Sequence, residues 1–164
     1  MVKISFISLE KWPKIDESKI NLELGYLEEE LDNTFEDIDY IMKLTKKEKL
    51  NKIIIVISQE WKYGLYEEAN ELLTKIKSPG ELIKELMKTD MKKHGQELVK
   101  LIPKLVEKKL DVIVGKSKEI EFFNKNKDRI EKQFGCEIVI EDGDKFKHDK
   151  SRFALPGKPA ILIQ

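Results

Sequence analysis

Ile20, Leu24, Leu27, Leu31, Phe35, Ile38 and Met42 recur at steps of three or four, with Glu23, Glu28, Glu29, Glu30, Asp32, Glu36, Asp37 and Asp39 between them. That period predicts one long helix over 16–42 with an apolar stripe and an acidic opposite face. Ahead of it, Val2 to Trp12 reads as extended, and Pro13 keeps Trp12 out of helical geometry. Asp16 is placed to cap the helix, with Glu17 in its first turn where the backbone dipole favours an anion. A lone helix cannot cover its own stripe. It must pack on the domain after it, or on partners outside this chain.

The pattern changes at Ile53-Ile54-Ile55-Val56-Ile57, an unbroken aliphatic run that predicts a strand buried on both faces. Ser58 is placed to cap a helix carrying Trp61, Leu65, Ala69, Leu72 and Ile76. Ser78-Pro79-Gly80-Glu81 has the form of a capping box before a short helix with Leu82, Ile83, Leu86 and Met87 inward. A further helix carries Leu98, Leu101, Ile102, Leu105 and Val106, bent at Pro103. Leu110 to Val114 reads as a second buried strand closed by Gly115. Ser117 to Phe134 reads as one helix stopped by Gly135. Cys136 to Ile140 reads as a third strand, Asp142-Gly143-Asp144 as a turn, Lys145 to Arg152 as a mobile polar stretch, and Ala160 to Ile163 as a last strand. The prediction is an α/β fold: a long acidic N-terminal helix, then a small two-layer or three-layer α/β domain of order β-α-α-α-β-α-β-β. The first strands are expected to pair in parallel, with the last two antiparallel at an edge. The division falls between a segment over 1–45 and a domain over 50–164.

Charge sharpens this division. The 164 residues carry 31 basic and 31 acidic side chains, but residues 1–42 hold four lysines against eleven acids and the remainder carries the excess of base. Opposite signs in two blocks suggest two units, of which the basic one suits a polyanionic partner. Within it, 43–52, 88–109 and 145–158 each have a net charge of +4. Lysine neutralising phosphate releases counterions, so an RNA contact here would be steeply salt-dependent. The lysine-rich, isoleucine-rich composition fits a thermophilic origin. No aliphatic run approaches a membrane span, and no leader or transit peptide is recognisable at the start, so a cytoplasmic chain is expected. A single cysteine, Cys136, excludes a disulfide framework, and two histidines, His94 and His148, argue against a multi-histidine metal centre.

Catalytic machinery does not stand out. There is no G-x-G-x-x-G and no G-x-x-x-x-G-K-S/T, and Glu60 would repel an anion at the helix after Ser58. His94 beside Lys92 and Lys93, and His148 between Lys147 and Asp149, lack a serine, cysteine or carboxylate partner at useful spacing and read as surface residues. Trp61 and Tyr63 could stack on bases, but Trp61 falls on the stripe with Leu65 and reads as core.

Several passages together resemble the C-terminal region of archaeal and eukaryotic-type leucyl-tRNA synthetases. Leu9-Glu10-Lys11-Trp12-Pro13-Lys14-Ile15-Asp16-Glu17 is similar to the passage before the last helix of that family's anticodon-binding bundle. Glu60-Trp61-Lys62-Tyr63 resembles the start of its C-terminal domain. Asp90-Met91-Lys92-Lys93-His94-Gly95 with Pro103-Lys104-Leu105, and Ala154-Leu155-Pro156-Gly157-Lys158-Pro159-Ala160-Ile161, resemble its later helix and final strand. The resemblance implies a non-catalytic fragment of a leucine–tRNA ligase. The ATP and magnesium of the parent enzyme would be handled upstream, leaving no cofactor in this fragment. It implies two partners, tRNA(Leu), bound through its long variable arm, and the upstream domains, whose bundle would cover the acidic helix. By position it implies base contacts from Ala160, Ile161, Leu162, Ile163 and Gln164. Leu162 stands where the family pattern has an aromatic and Gln164 where it has an acid, leaving backbone groups and a terminal carboxylate to read base edges. The lysine groups add Lys158, Lys92, Lys93, Lys145, Lys147, Lys150 and Arg152 as phosphate contacts. The rivals are a free-standing α/β enzyme or ligand-binding protein with a site near Ser58 and Gly115, and a protein-interaction module using the acidic helix.

Overall fold

The computed structural model of the chain describes residues 22–164; the expected extended start, the Pro13 break and the Asp16 cap lie outside them. The acidic segment forms α1 (Leu22–Thr45), followed by β1 (Lys52–Ile57), α2 (Glu60–Leu72), α3 (Pro79–Leu86) and α4 (Gly95–Glu107). Then come α5 (Lys116–Lys125), α6 (Lys127–Phe134), β2 (Glu137–Asp142) and β3 (Ala160–Ile163), with 3-10 turns at Asp90–His94 and Asp149–Phe153. The mixed α/β fold with a long N-terminal helix is as expected.

Three strands form one sheet in the order β2-β1-β3. β1 pairs in parallel with β2, Ile55 opposite Ile140, and antiparallel with β3, Ile55 opposite Ile161. Its alternate side chains serve two clusters. Ile53, Ile55 and Ile57 enter a core with Leu27, Leu31, Ile38, Phe123, Ile130 and Ile138, while Ile54 and Val56 meet Ala154, Ala160 and Leu162. A strand buried on both faces needs no polar alternation, which is why the run is continuous. A third cluster joins α2, α3 and α4 through Leu65, Leu82, Leu86, Leu98 and Ile102.

Four expectations need correction. Leu110 to Val114 is not a strand. β1 already has a neighbour on each edge, so the segment runs unpaired, burying Val114, while Ile113 packs between two clusters. A short apolar run reads alike as strand or core-filling connector. The parallel partner of β1 is therefore the strand at 137–142, and β3 adjoins β1 rather than β2. The helix expected over 117–134 is two helices meeting at Asn126, whose side-chain amide donates to the Phe122 carbonyl. The stretch over 145–152 is partly ordered as a 3-10 turn, opened by His148, whose Nδ1 accepts from the Lys150 amide.

The middle of the α1 stripe finds its cover inside the chain. Leu27, Leu31 and Ile38 are buried against the sheet and α5–α6, so these positions do not require helices from elsewhere. The acidic face is also engaged: Glu23 pairs with Lys118, Glu28 and Asp32 approach Arg129, and Asp37 approaches Lys158. Leu22, Leu24, Tyr40 and Leu44 remain exposed. Among the described residues no helix is long and apolar enough to cross a membrane.

Candidate nucleic-acid interface

The parallel pair β1–β2 sets the geometry of the site. The loops leaving both carboxyl ends, and the loop entering antiparallel β3, emerge at the same end of the sheet. β2 continues through the turn at Gly143, whose N–H donates to the Ile57 carbonyl at 2.9 Å. A Cβ at Gly143 would lie 2.4 Å from that oxygen, so only glycine lets the two strand ends approach so closely. Asp144 then accepts the Glu60 amide at 2.9 Å and caps α2, while Lys116 pairs with Asp142 and Asp144 at 2.7 and 2.6 Å. Burial alone would raise Asp142, but the bonds from Lys116 and the Asp144 amide hold its carboxyl below the usual range. An anion-binding turn is thus occupied by the protein's own carboxylates.

Ser58 and Ser78 do not act as expected. Gln59 stands at the N-cap of α2, and the Ser58 hydroxyl is buried and donates to the Ala154 carbonyl at 3.0 Å. Ser78 occupies the N-cap of α3 with no side-chain cap bond. Ser58 is therefore a strut for the segment before β3. A stronger strut lies four residues on. Lys62 is wholly buried, with Nζ donating to the Arg152 carbonyl at 2.6 Å and to the Ala154 carbonyl at 2.8 Å. Burial pulls its ammonium below the ordinary lysine value, offset in part by Glu97 and Asp144.

Farther along, the Gly157 amide donates to Glu119 Oε1 at 3.1 Å, and Glu119 Oε2 accepts the Tyr63 hydroxyl at 2.6 Å. The stretch 152–158 is therefore gripped near both ends by buried ionisable side chains, a lysine holding carbonyls and a glutamate holding an amide. It forms one wall of a groove of about 380 Å³ whose other wall is α4, lined by Lys100, Lys104, Arg152, Phe153 and Leu155, with Gln96 and Glu97 beside them. Lys100 and Lys104 follow at i and i+4 on one face of α4, and Lys108 stands just past its end at the same spacing in the sequence. Lys104 and Lys108 also line an adjoining cavity of about 300 Å³ that reaches Lys158. Phe153 is 63% exposed, with the Arg152 guanidinium 4.9 Å from its ring centre. An exposed ring beside cations offers what a splayed base needs: a flat apolar face and nearby charge for its phosphate.

Arg152 thus belongs to the groove and Lys158 to the adjoining cavity. Lys92 and Lys93 are exposed on the 3-10 turn whose His94 ring stacks on Trp61 at 3.8 Å, so His94 is a packing partner rather than a free surface histidine. Lys145, Lys147 and Lys150 are exposed on the loop after β2, Lys145 within 3.7 Å of Asp142. The group at 43–52 leads into the opposite end of β1 and does not join them. Ala160, Ile161 and Leu162 point into the cores, Ile163 is half-buried, and the Gln164 side chain is exposed while its backbone bonds to Asn51 and Lys52. The sequence assigns no site role to Lys62, Lys100, Lys104, Phe153 or Glu119, although Lys62 and Lys104 lie within the family-like passages. The four-residue spacing of Lys100, Lys104 and Lys108 is the signal that could have found the groove.

No protein-family model matches the chain. It is similar to the leucine–tRNA ligase of Methanocaldococcus jannaschii, 34% identical over 167 residues covering 99% of this chain. It is 32% identical to those of Pyrococcus abyssi and Methanococcoides burtonii, with 97% and 96% of this chain covered. The chain spans only 16–18% of the length of these relatives. The resemblance to leucyl-tRNA synthetases therefore holds along nearly the whole chain, consistent with a C-terminal region of such an enzyme.

Proposed function

We propose, from the premise that this chain is homologous to about a sixth of archaeal leucine–tRNA ligases, that it is a non-catalytic tRNA(Leu)-recognition module serving leucylation. The observation that carries this reading is the groove between α4 and 152–158, where two of the three basic stretches meet around the exposed Phe153. Phosphates are held by Lys100, Lys104, Arg152 and Lys158, and an unpaired base of the long variable arm stacks on Phe153. Lys92, Lys93, Lys145, Lys147 and Lys150 extend the field toward the flanking backbone. The rest of the enzyme is the second partner and supplies the ATP-dependent chemistry.

The terminal residues take a different part from that implied by position alone. Ala160 to Ile163 build the sheet edge, and Gln164 offers its exposed amide to a base edge. Deleting the last five residues would remove β3 itself, so Gln164→Ala is the discriminating change.

The test is titration of this chain with tRNA(Leu) and with a short-armed tRNA across a salt series. Affinity for tRNA(Leu) is expected to fall steeply with salt, and Lys100→Glu with Lys104→Glu to flatten the log–log slope by about 0.7–0.9 for each lost phosphate contact. Phe153→Ala is expected to weaken binding by about 1–3 kcal/mol without changing the slope. Equal affinity for both tRNA classes would defeat the variable-arm reading.

A further inference from the structure

Behind the groove wall lies a pair of acids that RNA binding does not use. Glu30 of α1 and Glu119 of α5 are 4% and 2% exposed and line the same cavity of about 340 Å³. Neither makes an ion pair among the described residues. Glu119 is served by two donors, Tyr63 of α2 and the Gly157 amide. Glu30 Oε1 is buried and has no hydrogen-bond partner. Two adjacent buried carboxylates without a cation cannot both hold negative charge, since desolvation and mutual repulsion oppose the second. The donors around Glu119 favour its ionised form, so the proton resides on Glu30.

We propose that Glu30 and Glu119 form a proton-dependent latch: one proton on Glu30, beside the ionised Glu119, keeps α1 docked on α5 and on the 154–159 segment, and its loss to solvent releases the helix. Burial and the neighbouring Glu119 both push the Glu30 carboxyl far above its ordinary value. Burial raises Glu119 as well, against the opposing hydrogen bonds from Tyr63 and Gly157. The charged groups around the cavity do not cancel the effect. Lys108 and Lys109 lie on its rim with Glu29 and Asp111, and Asp111 faces Tyr26.

The sign follows from linkage. An undocked Glu30 reaches water and titrates as an ordinary carboxylate, so the docked state binds more protons and is favoured at low pH. Within the range where docked Glu30 stays protonated and undocked Glu30 does not, each pH unit disfavours docking by about tenfold. Undocking would expose Leu27, Leu31 and Ile38 and part Asp37 from Lys158, while Glu119 keeps the Gly157 amide.

Hydrogen exchange of the whole chain at pH 6 and pH 9, corrected for intrinsic rates, tests this. The wild type is expected to lose at least about tenfold protection in α1 at pH 9, with β1 and β2 unchanged; Glu30→Gln, a neutral isostere, keeps its protection at both. Equal wild-type protection at the two pH values overturns the latch, as does an unaltered pH response in Glu30→Gln. Should that variant fail to fold, side-chain carboxyl carbon shifts in the wild type decide: the latch requires one Glu to titrate well above the ordinary range, and two ordinary titrations refute it.

Discussion

Replacing Lys62 by methionine keeps the length and most of the volume of a wholly buried side chain while removing its ammonium. Two carbonyls lose a charged donor, at 2.6 and 2.8 Å. The Ala154 oxygen keeps the Ser58 hydroxyl at 3.0 Å, so the Arg152 oxygen is the one orphaned. A part-buried orphan acceptor costs at most about 1–3 kcal/mol, but burying an ammonium without a carboxylate is itself unfavourable, and methionine removes that penalty. The net expectation is a global loss of about 1–2 kcal/mol, a fall in Tm of about 2–4 °C per kcal/mol for a chain of this size. The local effect is larger in kind. Residues 151–155 lose their tie to α2 and with it the fixed placement of Arg152 and Phe153. Calorimetry reads the first expectation, and hydrogen exchange of the 151–155 amides reads the second. In tRNA titrations the salt slope should fall by about 0.7–0.9, one phosphate contact, although Lys62 itself touches no solvent. Native protection at 151–155 together with an unchanged slope would refute the idea that this lysine positions the groove wall.

Gly143→Ala would put a Cβ 2.4 Å from the Ile57 carbonyl, so the turn must open and part the ends of β1 and β2; a loss of about 2–4 kcal/mol in unfolding free energy by denaturant titration is expected, and a change within about 0.5 kcal/mol would contradict the close approach. Leu31→Ala removes a fully buried side chain where α1 meets the sheet and should cost about 2–5 kcal/mol in one cooperative transition with an unchanged m-value. At pH 6, where the Glu30 proton keeps α1 docked, a separate early transition for α1 would show that the helix is not part of the common core.

How much of the fold is legible in the sequence depends on how local the cause is. The continuous aliphatic run of β1 needs only two covered faces, and it reads correctly. So does Gly135, which ends α6 in the left-handed region at φ 64°. Leu110 to Val114 misleads because the competition for the edges of β1 is settled by residues 137–142 and 160–163, far along the chain. The stripe of α1 is plain in its spacing, but which surface covers it is a tertiary question. Lys62 is the sharpest case. A lysine between a tryptophan and a tyrosine looks solvent-facing, and its burial is caused by carbonyls 90 and 92 positions away. Glu119, likewise, reads as one acid among many until Tyr63, 56 residues earlier, reaches it.

The double anchoring of 152–158 has a kinetic and thermodynamic corollary. A wall immobilised during folding has already surrendered its conformational entropy, so a nucleotide arriving there meets a rigid template. Association should then be governed by diffusion and long-range attraction, without a slow rearrangement step, and variation among mutants should surface mainly in residence time.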